Sequence, residues 1–366
     1  MKTIQFFLRI ILGFVFFFVK RMKIKNNRIT FITIESDELR DDLKMIYEKL
    51  DREKYDIKVD AFQYSKKSLM NNIQYLFQCI KQVYDVNTSR IVLLRDNNYV
   101  VSNFKRDDVK VIQVWHASGA IKKFGNATER KYAISNYDYV IANSNYWKEP
   151  YAYAFSVEQE NVLNLGMPRI DQLHDKEFLA KVRENLREEL SVSEKKVILY
   201  APTFRGDIYS GFRMIPFDLE KVVESLGEEY VILCKYHPLL SDYFPYQHHQ
   251  IINCNKYSTY DLFAASDMMI SDYSSIIFDY ALLNRPMLYF VPDLEEYCAD
   301  RGLFVEYYGL PGKVCVSEDD VIEAVRNPKM EGISEFAQKF FTYQDGKNTE
   351  RNVEFIGKLI EKSCNA

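Results

Sequence analysis

Glycine and proline are scarce in this chain, 13 and 10 of 366 residues. No glycine-rich P-loop or dinucleotide fingerprint occurs, and collagen-like and low-complexity classes are excluded. The six cysteines (Cys79, Cys234, Cys254, Cys298, Cys315 and Cys364) form no CxxC pair, and several sit in apolar runs such as VILCKY. That scatter suits buried free thiols in a reducing compartment rather than disulfides or structural zinc. The five histidines show no HxxxH or HExxH spacing, and His248 and His249 are adjacent in an expected surface loop. Charge of one sign is also lacking: 48 Lys and Arg against 52 Asp and Glu give −4. A net acidic chain is no general polyanion binder, so neither DNA nor RNA is an expected partner. Internal repeats are absent as well.

One segment breaks this balance. In MKTIQFFLRIILGFVFFFVKRMKIKNNR, Lys2, Arg9, Lys20, Arg21, Lys23, Lys25 and Arg28 carry charge, and no acid precedes Glu35. Its apolar part, Ile4 to Val19, holds Arg9 and is short against the roughly 20 residues of a membrane span. No small-residue cleavage site follows, which argues against a removed signal peptide. Phenylalanines at 6, 7, 14, 16, 17 and 18 cover every face, unlike an ordinary core helix. The segment 1–27 therefore reads as a membrane-associated helix with a basic collar against anionic headgroups, lying flat or spanning. Either arrangement leaves the rest on the cytoplasmic side of the cell membrane.

Beyond residue 28, short β-rich runs alternate with helical stretches. RITFITI, YDIKVDAF, RIVLLRD, VIQVWH, YDYVIAN and NVLNLG read as strands, with helices over about 37–50 and 66–84. The charged segment 172–195 reads as a helical hinge. A second series follows: KVILYAP, YVILCKYH, HQIINC, DMMISD, PMLYFVP and KVCVS. Helices are expected over about 217–226, 259–265, 274–283, 317–327, 332–343 and 348–363. This predicts an α/β protein with two doubly wound, Rossmann-like domains facing a cleft, over 28–175 and 176–345, and a C-terminal helix over 346–366.

Ligands of such sheets sit at strand C-terminal ends, so the residues that follow each strand are the candidates. They are His116, with Lys122 and Lys123; Arg169 and Asp171; Thr203 and Arg205; His237; Asp272, Ser274 and Ser275; and Asp293, Glu296 and Arg301. Singly, each has a bland reading, and ISDYSS could be no more than a capped helix start. Together they put histidines, arginines, lysines and hydroxyls at one topological position, which fits a cleft for a phosphorylated ligand. The acids at 106–108 and 318–320 read as turn or helix-start residues rather than a metal cage.

The blocks VWHASGAIKKFG, LGMPRID, LYAPTFRG, CKYHPLL, DLFAASDMMISDYSSIIFDYALLNRPMLYFVPDLEEYCADRG and LPGKV occur in this order. Together they resemble the CDP-glycerol glycerophosphotransferases, the teichoic acid primases and polymerases, over about residues 110 to 345. Length and the basic apolar start resemble the short, primase-like members. Where many members read WHGTPLKxxG, this chain has WHASGAIKKFG, keeping the histidine, the lysine and the final glycine. The resemblance implies a GT-B-like fold and transfer of glycerol phosphate from CDP-glycerol to a hydroxyl of a lipid-linked saccharide acceptor, releasing CMP.

Within that reaction His116 is the expected general base, and His237 the donor of a hydrogen bond or proton to the pyrophosphate. Arg205 offers a planar fork for phosphate. Asp272, Ser274 and Ser275 form part of the expected pyrophosphate cradle, Lys122 or Lys123 adds charge at the cleft mouth, Thr203 and Arg301 complete the donor-binding set, and Asp293 and Glu296 are placed at the cytidine ribose. Asp279 could orient a catalytic group or simply lie on a helix face. No cofactor is required in this reading, with Mg²⁺ on the nucleotide as the alternative; no oligomeric state is assigned. Competing readings are a CDP-ribitol phosphotransferase, a sugar-nucleotide glycosyltransferase of the same architecture, and a catalytically silent membrane-bound scaffold.

Overall fold

The computed structural model describes residues 2–63, 69–130, 132–207, 211–237, 240 and 244–364. The start of the helix expected from 66 lies outside the described residues. The chain divides into two compact units. The first comprises Met1–His116, Phe124–Asp171 and Phe341–Ala366; the second comprises Ala117–Lys123 and Gln172–Phe340.

The first unit is built on six parallel strands: β1 (Lys25–Thr33), β2 (Asp56–Ala61), β3 (Ser89–Leu94), β4 (Lys110–Gln113), β5 (Tyr139–Ala142) and β6 (Val162–Asn164). Their spatial order is β2-β1-β3-β4-β5-β6. The last six residues of β1 are all buried, as in a parallel sheet covered on both faces. The helices here are α1 (Lys2–Val19), α2 (Asp41–Lys49), α3 (Leu69–Thr88), α4 (Tyr99–Phe104) and α5 (Lys148–Phe155). The helix expected from residue 37 starts only at Asp41. Before it, the Thr33 and Ser36 hydroxyls bond nearby backbone groups, at Glu35 N and Glu38 O, and so stabilise a turn in competition with the helix. Neither α4 nor α5 is apparent from periodicity, because both are short.

The second unit carries β7 (Lys196–Tyr200), the antiparallel hairpin β8 (Arg205–Asp207) and β9 (Gly211–Arg213), then β10 (Tyr230–Cys234), β11 (Ile251–Asn253), β12 (Met268–Ser271), β13 (Met287–Phe290) and β14 (Lys313–Cys315). The sheet runs β11-β10-β7-β12-β13-β14, all parallel. Ile198, Ile232, Ile270 and Leu288 form its buried apolar centre, with Val222, Val223 and Val321 packed on them. Around it lie α6 (Lys176–Glu189), α7 (Leu219–Leu226), α8 (Thr259–Ala265), α9 (Ile276–Ala281), α10 (Leu294–Arg301), α11 (Glu318–Arg326) and α12 (Ile333–Phe340). The acids at 318–320 do start a helix: Ser317 and Asp320 form a reciprocal capping box for α11.

The boundary between the units falls at Asp171/Gln172, where the segment 172–195 begins, and the helix of that segment packs on the second unit. Arg183 and Arg187, one turn apart on α6, donate to the carbonyls of Ala264, Ala265 and Ser266 and pair with Asp267. The final helix, α13 (Asn348–Cys364), belongs to the first unit, where Ile356 and Ile360 join Ile29, Phe31, Leu43 and Ile46 in one core.

At the other edge of the first unit, α1 packs on α3 and α4, burying Leu12 and Val19 and setting Phe16 against Phe104. Phe6, Phe7, Phe14, Phe17 and Phe18 stay exposed, as do Ile73 and Phe77 of α3. Among the described residues no helix is long and apolar enough to cross a membrane.

Each sheet has one place where successive connections leave in opposite directions. It lies between β1 and β3 in the first unit and between β7 and β12 in the second. Doubly wound sheets bind ligands outside such switch points.

Candidate active site

In the second unit, the chain leaving β7 stays zipped to β12: Ala201 N donates to Ile270 O at 2.9 Å, and Ser271 Oγ donates to Ala201 O at 2.7 Å. That extension brings Thr203 against Asp272. Thr203 N donates to Asp272 Oδ1 at 2.8 Å and its hydroxyl to Oδ2 at 3.0 Å. Arg205 Nη1 donates to the same Oδ2 at 2.9 Å and to the Thr203 carbonyl and hydroxyl, both at 3.1 Å. Its Nε and Nη2 grip the two oxygens of Asp293 at 2.6 and 3.1 Å. The guanidinium also lies over the Tyr273 and Tyr297 rings, which stack on each other at 3.6 Å. Tyr273 donates its hydroxyl to Asp293, and Tyr307 donates to the Asp272 carbonyl.

Burial dominates the electrostatics. It pushes the Asp272 carboxyl up, while Arg205, Thr203 and the Lys122 charge oppose it. Asp293, less enclosed and bonded to Arg205 and Tyr273, sits below the usual carboxylate range. Arg205 is held charged by both acids. Its bidentate fork, expected to grip phosphate, is therefore filled by the protein's own Asp293, and Arg205 organises the turn from beneath.

Ser274 and Ser275 remain half-exposed at the turn into α9. Ser275 makes no side-chain capping bond, so simple capping does not account for it. The helix is also shorter than the expected 274–283: only Ile276–Ala281 is α-helical, which weakens any contribution from a helix dipole. Asp279, on this helix, accepts from the Tyr260 hydroxyl at 2.8 Å, which is a packing role.

Lys122 reaches this unit through the excursion Ala117–Lys123. Lys122 forms an antiparallel bridge with Leu303, Phe304 N donates to Ile121 O at 2.8 Å, and Lys123 N donates to Gly302 O at 3.2 Å. One sequence block thus serves both units, with His116 in the first and Lys122 in the second. His237 stands against Phe204, ring centroids 4.8 Å apart. Although part of the ring is open to solvent, surrounding protein and the Lys122 charge hold its pKa down, at about 4. At neutral pH His237 is an uncharged hydrogen-bonding imidazole; a bound anion would be needed to make it a proton donor.

A cavity of about 400 Å³ opens beside the network, lined by Arg205, Arg213, Met214, Asp293, Glu296 and Tyr297. An aromatic recess of about 310 Å³ adjoins it through Met214, Ile215 and Pro216, and is walled by Tyr200, Tyr236 and Tyr246. Glu296 is thus placed where a polar ligand could reach it. Arg301 ends α10, and its side chain lies outside the described residues.

In the first unit, His116 follows β4. Trp115 just before it has φ +59°, a left-handed backbone that is costly for a bulky residue. Three contacts impose it: Trp115 N donates to the Gln113 side chain at 2.9 Å, and Arg169 donates to the carbonyls of Trp115 and His116 at 2.9 and 2.8 Å. Arg169 is in turn paired with the fully buried Asp42. Gly166, at φ +78°, lets the chain reach Arg169; a Cβ there would collide with Asn348. Asp171 has a structural task, accepting from the Asn348 and Thr349 amides at the start of α13.

The His116 ring lies against Trp115, centroids 3.8 Å apart and planes tilted by 33°. Its Nδ1 lies 3.3 Å from the Arg95 carbonyl and 3.7 Å from Glu35 Oε1. Beneath, Asp96 Oδ2 accepts from the Thr33 hydroxyl at 3.1 Å and from Ile34 N at 2.9 Å, and burial lifts its pKa to about 7. Glu35, Arg95 and Asp96 are not among the sequence candidates, although IESD and LLRD also end strands and carry that signal. Among the described residues no group of three or more His, Cys, Asp or Glu side chains is placed to hold a metal ion.

Residues 14–358 match the family model of CDP-glycerol:poly(glycerophosphate) glycerophosphotransferase. The chain is 32% identical to the teichoic acid ribitol-phosphate primase of Bacillus spizizenii, over 93% of each chain. It is 30% identical to the teichoic acid glycerol-phosphate primase of Bacillus subtilis, over 94% of this chain and 95% of that one. The solved structure of the wall teichoic acid polymerase TagF superposes with a TM-score of 0.76 at 24% identity, covering 96% of this chain and 93% of the other. That likeness places the fold among GT-B-like proteins.

Proposed function

The chain belongs to the CDP-glycerol:poly(glycerophosphate) glycerophosphotransferase family, and from that premise we propose that it transfers glycerol phosphate from CDP-glycerol to a hydroxyl of a lipid-linked saccharide, releasing CMP, in the synthesis of teichoic acid or a related cell-surface polymer. The observation that carries this reading is the second unit's switch point. There a hydrogen-bonded Thr203–Arg205–Asp272–Asp293 network holds up a turn whose remaining polar groups are Ser274 and Ser275. Lys122 and His237 lie close enough for the Lys122 charge to act on the imidazole.

In this reading His116 removes the acceptor hydroxyl proton. The oxygen attacks the phosphorus that bears glycerol, the P–O bond to CMP breaks, and CMP departs with the bonding pair. Lys122, the two serine hydroxyls and a hydrogen bond from His237 offset the charge on the departing phosphate. Asp293 is already committed to Arg205, which leaves Glu296 as the acid open to the ribose. A lipid-linked acceptor requires a membrane surface, and the exposed phenylalanines of α1, continued by Ile73 and Phe77, form an apolar face for one. With the basic residues after Val19, that face suits a helix lying in the plane of the cytoplasmic leaflet.

CDP-ribitol is the second reading, favoured by the 32% identity to a ribitol-phosphate primase. The test incubates purified protein in detergent with either donor and a short-chain lipid-linked disaccharide, with EDTA and then with Mg²⁺. CMP release with an acceptor gain of one glycerol phosphate, lost in His116→Ala and His237→Ala, is the expected result. Gain of ribitol phosphate instead selects the second reading. Turnover only with Mg²⁺ replaces the metal-free mechanism, and turnover of UDP-sugars alone overturns both readings.

A further inference from the structure

The first unit's switch point contains an ionised cluster that the transfer reaction, as written, does not use. Glu35 follows β1 and Arg95 follows β3, so the topology itself delivers them beside His116, which follows β4. The Arg95 carbonyl at 3.3 Å and Glu35 Oε1 at 3.7 Å face His116 Nδ1. Both are acceptors. They favour the tautomer with the proton on Nδ1, which leaves the lone pair on Nε2. The other Glu35 oxygen is turned toward Arg95 Nε at 3.4 Å, and Arg95 Nη1 binds Asp41 at 2.6 Å. Glu35, 45% exposed, thus has one oxygen toward Arg95 and the other toward the imidazole.

We propose that Glu35 is the carboxylate partner of His116, a positioning residue that holds the Nδ1 side of the ring and stabilises the imidazolium formed when Nε2 accepts the acceptor's proton. The proposal deepens the reading of His116 as the base and rests on it. The alternative is an ordinary surface ion pair, in which Glu35 serves Arg95 alone and contributes little. Two features oppose that alternative. The ring lies against Trp115 and its backbone carbonyl is held by Arg169, so the charge at 3.7 Å acts on a positioned imidazole that is 39% exposed. Although the Glu35 side chain is 45% exposed, the protein around it raises its pKa against the pull of Arg95 and Arg169. The charged groups around the pair are Arg95 and Asp96 after β3, Asp41 and Asp42 of α2, and Arg169 after β6. The Arg95 and Arg169 charges are each also matched by an aspartate of α2, so Glu35 shares Arg95 with Asp41 while it faces His116.

The test uses the full chain in detergent with isotope-labelled histidine. The His116 imidazole is titrated by NMR, assigned through His116→Gln, and the pH dependence of CMP release is measured in parallel. Glu35→Gln keeps shape and hydrogen bonding but removes the charge. It is expected to lower the His116 midpoint by about half to one pH unit and to move the acid limb of kcat down with it. It should also reduce kcat by about tenfold, part of what a general base contributes, with KM for CDP-glycerol within about twofold. Glu35→Asp should recover part of both shifts. A fall in kcat with neither the titration nor the acid limb moved would show a purely structural Glu35 and overturn the proposal. A shifted titration with an unmoved acid limb, or turnover retained in His116→Gln, would show that His116 is not the base. That outcome removes the underlying reading and the proposal together.

Discussion

The two switch points share one backbone device and differ in what fills it. In each, an aspartate after the returning strand accepts from a threonine hydroxyl and a backbone amide near the end of the first strand. Asp96 serves Thr33 and Ile34 in the first unit, and Asp272 serves Thr203 in the second. The second unit then adds a guanidinium: Arg205 bonds Asp272 and Asp293 and is roofed by two tyrosines. Among the described residues no cation pairs with Asp96, its Oδ1 has no hydrogen-bond partner, and its pKa rises to about 7. A site for a fixed polyanion benefits from a preorganised floor. A site for proton transfer benefits from groups that titrate near neutrality. Under the proposed function the two halves divide in this way.

The largest effect expected from breaking this contrast is at Arg205. Replacing it with Met leaves Asp272, 1% exposed, and the partly buried Asp293 without their cation. Breaking such a buried pair costs about 3–5 kcal/mol, to be read as a lower urea midpoint. The comparison sharpens with a second substitution. If Arg205 acts mainly by neutralising Asp272, then Arg205→Met with Asp272→Asn should recover about 1–3 kcal/mol relative to the sum of the single losses. Strict additivity would mean that Arg205 acts through Asp293 and its contacts with Tyr273 and Tyr297 instead.

The same contrast shows what the sequence can disclose. Apolar runs such as KVILY and DMMIS mark buried parallel strands, and a parallel sheet gathers their C-terminal ends, so Thr203, Arg205, Asp272 and Asp293 can be grouped from the amino-acid order alone. Their division of labour cannot. Arg205 meets Asp293 across 88 positions, and no local pattern signals that its fork will close on a carboxylate rather than a phosphate. Glu35 and Arg95 obey the same strand-end rule, yet both sit in charged turns that resemble any solvent-facing loop. The β8–β9 hairpin, which supplies Arg213 to the cavity wall, is too short for alternation to show. Residues 172–195 read as a hinge because the helix is dominated by charge. Its arginines are spent on the carbonyls at the end of α8, a contact that sequence periodicity does not encode.

The smallest expected effect lies at Asp96, and its sign is the informative part. The native pKa, about 7, is above the ordinary 3.8 of an unfolded chain. Between those values the native state binds the proton more tightly. The resulting stability is complete below pH 3.8 and is lost as pH rises through about 7. Asp96→Asn removes the titration while keeping an oxygen for Thr33 and Ile34. Relative to wild type, the variant should therefore gain as pH rises, by about 2 kcal/mol between pH 5 and pH 8. Urea midpoints of the two proteins at each pH measure it. Parallel pH curves would mean that Asp96 is ionised throughout, and would erase the difference drawn between the two switch points. A gain of the variant on wild type from pH 5 to 8 would show that the first unit keeps a protonated carboxyl beneath His116, where the second keeps an ion pair.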